Sequence, residues 1–103
     1  ARSLGNSGKR SAYLYLKKGL YDQDELVVKS TIEAIGNLGI RQCGGELGSA
    51  FSRGSASIRR TILNTVERIG PSDGFKSIIL AGMRDSDPEV RIRSLRLFSR
   101  ITA

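Results

Sequence analysis

The chain has no histidine and no tryptophan, and only one cysteine, one methionine and two prolines among 103 residues. A lone cysteine cannot close an internal disulfide. With no histidine beside it, a transition-metal site is not expected. The absence of histidine also removes the side chain most often used to shuttle protons near neutral pH. The longest apolar runs, such as Ile78-Ile79-Leu80-Ala81, fall far short of the roughly 20 residues a membrane span needs. No signal-peptide pattern opens the sequence, and a cytoplasmic location is the expectation. No strand-like alternation of apolar and polar residues competes with the helical spacing described below.

What is present is an ordinary apolar share of 39 % and a marked excess of cations. Seventeen Lys and Arg face ten Asp and Glu, a net charge of +7, and twelve of the seventeen are Arg. Such a surface attracts acidic protein faces, nucleic acid or anionic headgroups. The length suits one domain and is too short for two independent cores.

A repeat organises the chain. Val27–Gly39 reads VVKSTIEAIGNLG, Ile58–Gly70 reads IRRTILNTVERIG and Val90–Thr102 reads VRIRSLRLFSRIT, at offsets of 31 and 32 residues. In this register Val27, Ile58 and Val90 coincide, as do Ile32, Leu63 and Leu95; Ile35, Val66 and Phe98; and Leu38, Ile69 and Ile101. Their spacing lies on one helical stripe, so all are expected in the core. A weaker helix precedes each, at about 11–21, 43–52 and 73–84, with Leu16, Leu47 and Ile79 in register, followed by Leu20, Phe51 and Met83. Asp87-Pro88, Asp22 or Asp24, and Ser55 or Ser57 supply helix starts. Gly39 and Gly70 supply stops. The fold class is all-α, built of helical hairpins.

The run Asp85-Ser86-Asp87-Pro88-Glu89-Val90-Arg91 resembles the inter-helix signature of HEAT repeats, in particular the short type found in phycobilisome lyase-like proteins. Asp22-Gln23-Asp24-Glu25-Leu26-Val27 is a second copy, and Ala34-Ile35-Gly36-Asn37-Leu38-Gly39 is similar to the family's Ala-Leu-Gly ending. The resemblance implies an α-solenoid (superhelix) of about three hairpins in a single domain over 1–103. The repeats fall at about 9–39, 40–70 and 71–102, and residues 1–8 form a remnant of a preceding one. A solenoid normally carries polar capping repeats, and neither end resembles one, which implies a piece of a longer array. The pattern departs in two places. Repeat two has Arg53 and Ser55 where the acids belong, and repeat one has Val28 in place of the usual Arg. The family's Asp-to-Arg ladder is therefore partial.

Candidate chemistry is sparse. Gly44-Gly45-Glu46-Leu47-Gly48 lacks the Lys-Ser or Lys-Thr of a phosphate loop and follows no strand; loose helix ends or a close helix approach explain it better. Cys43 stands where a buried, inert thiol is expected. Asp22, Asp24, Asp85 and Asp87 are explained as helix caps. Tyr13, Tyr15 and Tyr21, near Lys17 and Lys18, could stack on single-stranded nucleic acid; half-burial against a neighbouring repeat is favoured.

The most informative polar column lies on the second helices. It runs from Ser30, Glu33 and Asn37 through Thr61, Asn64 and Arg68 to Arg93, Arg96 and Arg100, with Lys29 and Arg60 beside it. Spacings of three and four keep each trio on one helix face. The resemblance implies that this column lines the concave surface and that Arg59 and Arg91 occupy the structural ladder. No acid follows Glu89, so the last trio is expected to lack i,i+4 partners. The expectation is a non-enzymatic binding module or scaffold without cofactor. Lys29, Arg60, Arg68, Arg93, Arg96 and Arg100 would receive an acidic protein partner. The alternatives are a nucleic-acid backbone on the same Arg residues, self-association through uncapped repeat ends, and an accessory role in a bilin lyase-type enzyme.

Overall fold

Each long helix begins at a side chain suited to the task. In the computed structural model, which describes residues 13–71 and 73–102, Asp24 accepts from the Leu26 N–H at 2.9 Å at the start of α2 (Glu25–Leu38). Ser55 opens α4 (Ala56–Ile69), accepting from the Ile58 N–H. Asp87 accepts from the Glu89 N–H at 2.8 Å at the start of α6 (Pro88–Thr102). Asp22 and Asp85, two residues before Asp24 and Asp87, accept the N–H groups of those capping residues at 2.8 and 2.9 Å. The same acidic motif thus folds in the same way in the first and third repeats. Gly39, at a φ of +67°, ends α2, and Ile40 donates back to the Ile35 carbonyl while burying its own side chain. This is the usual left-handed stop with its apolar contact.

The shorter helices are α1 (13–20 among the described residues), α3 (Gly44–Arg53) and α5 (Lys76–Gly82). Single 3₁₀ turns, Arg41–Cys43 and Asp73–Phe75, lead into the last two. Among the described residues all regular structure is helical. The proposed remnant at 1–8 lies outside them.

Helix α2 packs on α4, and α4 on α6; α3 lies against both α4 and α5, and α5 against α6. The smallest principal extent, 17 Å, fits two helix layers at the usual interaxial distance of roughly 8–10 Å. Within the hairpins one register position is kept small. Gly19 meets Thr31, Gly82 meets Ser94, and a Cβ on either glycine would collide with the facing hydroxyl. The equivalent places in the middle hairpin hold Ala50 and Ile62, both buried.

The expected core stripe is complete only where a helix has neighbours on both sides. Helix α4 buries Ile58, Leu63, Val66 and Ile69. On α2, Val27 and Leu38 are 40 % and 47 % exposed, and Val28 turns inward instead. On α6, Leu95 is 52 % exposed, while Val90, Ser94 and Leu97 are buried. The expectation of burial for Val27, Leu38 and Leu95 is therefore corrected. Val27 and Leu38 point away from α4 on one side, Leu95 on the other, and among the described residues nothing packs there.

A candidate interaction surface on α4 and α6

The junctions between hairpins decide which cations are free to act. At the junction of the second and third hairpins, Arg59 Nη1 donates to the Gly54 carbonyl at 2.7 Å and Nη2 to Asp85 Oδ1 at 3.1 Å. Its Nε lies 2.6 Å from Asp85 Oδ2 without being aimed at it as a hydrogen bond. Arg91 Nη1 likewise donates to the Asp85 and Ser86 carbonyls, at 2.7 and 3.1 Å. Both are structural ties. At the first junction the corresponding residues are Val28 and Arg53, and no ion pair forms between them. Instead the Arg53 guanidinium lies 4.4 Å from the centre of the Tyr21 ring. A cleft of about 220 Å³ opens there, lined among others by Asp22, Val28, Arg53 and Ser55.

The six cations singled out from the sequence divide into two sets. Lys29 donates to Ser57 Oγ at 2.7 Å, and Arg60 pairs with Asp87 at 2.5 Å, so both tie neighbouring hairpins together. Arg68 on α4 and Arg93, Arg96 and Arg100 on α6 are exposed or half-exposed. Arg68 donates to Asn37, and Arg93 to Asn64 and to Glu89 Oε2, the latter at 3.1 Å. Arg100 stands 3.8 Å from Glu67, with both side chains more than half exposed. Among the described residues Arg96 makes no hydrogen bond or ion pair, and it is exposed.

The expectation that the last trio lacks helical partners is therefore corrected for Arg93. Glu89 lies four residues before it, and only the acids after Glu89 were absent. Sequence reasoning also missed Asn64 and Glu67 as acceptors. No spacing within one helix signals these pairs, because each Arg finds its acceptor on the preceding long helix: Arg68 on Asn37, Arg93 on Asn64, Arg100 on Glu67. Four guanidinium groups against two carboxylates leave the face positive. Planar Arg forks suit carboxylate or phosphate oxygens, which they can grip in pairs. The exposed pairs to Glu67 and Glu89 are the weak kind, on the order of 0–1 kcal/mol, so an incoming anion can replace them at little cost.

The remaining polar groups have local explanations. Cys43 is fully enclosed, and burial, with the charge of Glu46 adding to it, pushes its thiol up to about 11. Such a thiol is a poor nucleophile at neutral pH. Tyr13 is half-buried, as expected, and donates to Glu46 Oε1 at 2.7 Å, tying α1 to α3. Tyr15 and Tyr21, expected to be half-buried, are instead 75 % and 57 % exposed. Among the described residues no group of three or more His, Cys, Asp or Glu could hold a metal ion, and no helix is long and apolar enough to cross a membrane. No protein-family model matches this chain, and no curated protein or solved structure shows significant similarity to it.

Proposed function

We propose that the chain is a HEAT-like α-solenoid module of the cytoplasm that binds an acidic segment of a protein partner and performs no chemistry of its own. The observation that carries this reading is the row Arg68, Arg93, Arg96 and Arg100 on adjacent long helices, with Arg96 unengaged among the described residues. The stacking of α2 on α4 on α6 supports the solenoid part, as does the recurrence of the Asp22/Asp24 motif at Asp85/Asp87. Binding would be by presentation of a cationic surface, with Arg96 making the first contact and the paired Arg residues exchanging acceptors.

The test is titration with an acidic peptide, such as an oligoglutamate flanked by apolar residues, against a duplex DNA. Replacing Arg93, Arg96 and Arg100 together by Ser should weaken peptide binding while the helical circular dichroism is kept. Parent-like affinity in the triple variant would remove the surface from consideration. The excess of Arg also favours a second reading, nucleic-acid backbone binding on the same face. Steep loss of DNA affinity with salt, at a logarithmic slope of roughly 0.9 per phosphate neutralised, together with indifference to the peptide, would decide for it.

A further inference from the structure

Six of the nine exposed large apolar side chains fall on two faces at opposite ends of the helix stack. Leu80, Ile92 and Leu95 lie on the sides of α5 and α6 that point onward from the third hairpin. Tyr15, Val27 and Leu38 lie on the sides of α1 and α2 that point back from the first. Exposed apolar groups scattered singly need no explanation, but groups gathered on a face do.

The internal junctions show what these two faces fit. Leu95 is the register equivalent of Leu63, which is buried where α4 meets α6. Leu80 is the equivalent of Gly48, which lies beside Ile78 of the following hairpin. On the opposite end, Val27 is the equivalent of Ile58 and Val90, both buried, Ile58 in a cleft shared with Leu20 and Val28 of the preceding hairpin, and Tyr15 is the equivalent of Ile78. The end that points onward therefore carries the residues that meet a following hairpin. The end that points back carries the residues that meet a preceding one.

Charge points the same way. Arg91 holds its own loop through Nη1, as Arg59 does, but Arg59 spends its remaining nitrogens on Asp85 of the next hairpin. Those nitrogens of Arg91 have no acceptor among the described residues. Asp22 occupies the register place of Asp85 and uses Oδ1 on the Asp24 N–H, as Asp85 does on Asp87. Among the described residues Asp22 makes no ion pair, although Arg53 lines the same cleft.

We propose that the onward face of one copy docks on the backward face of a second copy, head to tail. Leu80, Ile92 and Leu95 cover Tyr15, Val27 and Leu38, and Arg91 reaches Asp22 of the second copy as Arg59 reaches Asp85. The contact is heterologous, so each added copy exposes a fresh face and growth does not stop at two. The inference shares with the proposed function the equivalence of the hairpins, and uses nothing of the basic face.

Sedimentation of the 103-residue chain from about 1 μM to about 1 mM should show mass rising with concentration past that of a dimer. Leu95→Glu and Val27→Glu change exposed positions and should each weaken self-association at least about tenfold. Mixed in equal amounts, they should form a species of two chains and no larger, because each retains one intact face. Leu80→Lys with Tyr15→Lys serves as a second pair should either first variant lose its helical circular dichroism. A parent that stays monomeric throughout overturns the docking, as does a mixture that forms no dimer. Neither result touches the acidic-peptide reading, which the Arg93/Arg96/Arg100 variant tests separately.

Discussion

Arg59 and Asp85 clamp the second and third hairpins with a separation of 2.6 Å, and both side chains are largely withdrawn from solvent. One repeat earlier the same two places hold Val28 and Arg53, so both halves of the clamp are missing together. Losing only one would have left a charge without its counterpart in a partly buried slot, which is the costly outcome.

Restoring the clamp is the first prediction. Val28→Arg alone places a second guanidinium near Arg53, and Arg53→Asp alone sets a carboxylate beside Asp22, so each should destabilise. The double variant should recover the loss, with a favourable coupling of about 0.5–3 kcal/mol in a urea double-mutant cycle. Strict additivity of the two changes would show that the junctions are not equivalent.

Leu63 and Leu95 share a register position but not an environment. Leu63→Ala should cost about 2–5 kcal/mol, because its site is closed on both sides. Leu95→Ala, measured in dilute solution, should stay within about 0.5 kcal/mol. Equal losses in thermal melts of the two variants would contradict the exposure assigned to Leu95.

Ser94 buries its hydroxyl against Gly82 without a hydrogen-bond partner. Removing an unsatisfied buried hydroxyl relieves a cost of roughly 1–3 kcal/mol, so Ser94→Ala should be stabilising. Gly82→Ala should be destabilising by about 1–3 kcal/mol, through overpacking against that same side chain. Combining Gly82→Ala with Ser94→Gly should return most of the loss, and a failure to do so in chemical denaturation would mean that the clash lies elsewhere.

Alkali should weaken the fold through two groups. The hydrogen bond to Glu46, burial and the Glu46 charge raise Tyr13 from 10.0 to about 12, and burial raises Cys43 from 9.0 to about 11. For a group whose pKa is raised by folding, the contribution is whole below the unfolded value and is lost as pH rises through the folded one. The loss should therefore begin near the unfolded thiol value of 9.0 and continue to about 12. Tyr13→Phe should flatten the upper part of that decline. Urea melts at a series of alkaline pH values check this, and an unchanged slope in the variant would exclude Tyr13 as a contributor.

Much of the fold was legible in the sequence because the repeat register carries the helix pattern three times. In the middle copy the four stripe positions Ile58, Leu63, Val66 and Ile69 were read correctly, since they have neighbours on both sides, but the equally buried Ile62 was not among them. Periodicity cannot distinguish a core position from the same position on an end face, and Val27, Leu38 and Leu95 were misplaced for that reason. The defect of the first junction is visible in the sequence, in Val28 and Arg53. The pairing of the Arg column is not, because Glu89 precedes Arg93, and Asn64 and Glu67 lie on another helix. Tyr15 and Tyr21 were misjudged because an aromatic at helical spacing reads as core whether or not a neighbour is there to cover it.

The two junctions are tied by different kinds of bond. Across the first, Lys29 meets a hydroxyl, Ser55 meets Glu25, Arg68 meets an amide and Thr65 meets the Ile32 carbonyl, so among the described residues no tie there joins two opposite charges. Across the second, Arg59, Arg60 and Arg100 each meet a carboxylate. Added salt screens attraction between two full charges more than attraction between one charge and a neutral group. Ionic strength thus acts on the two ends of this protein unequally. Raising the salt concentration should loosen the second junction while leaving the first nearly as it was.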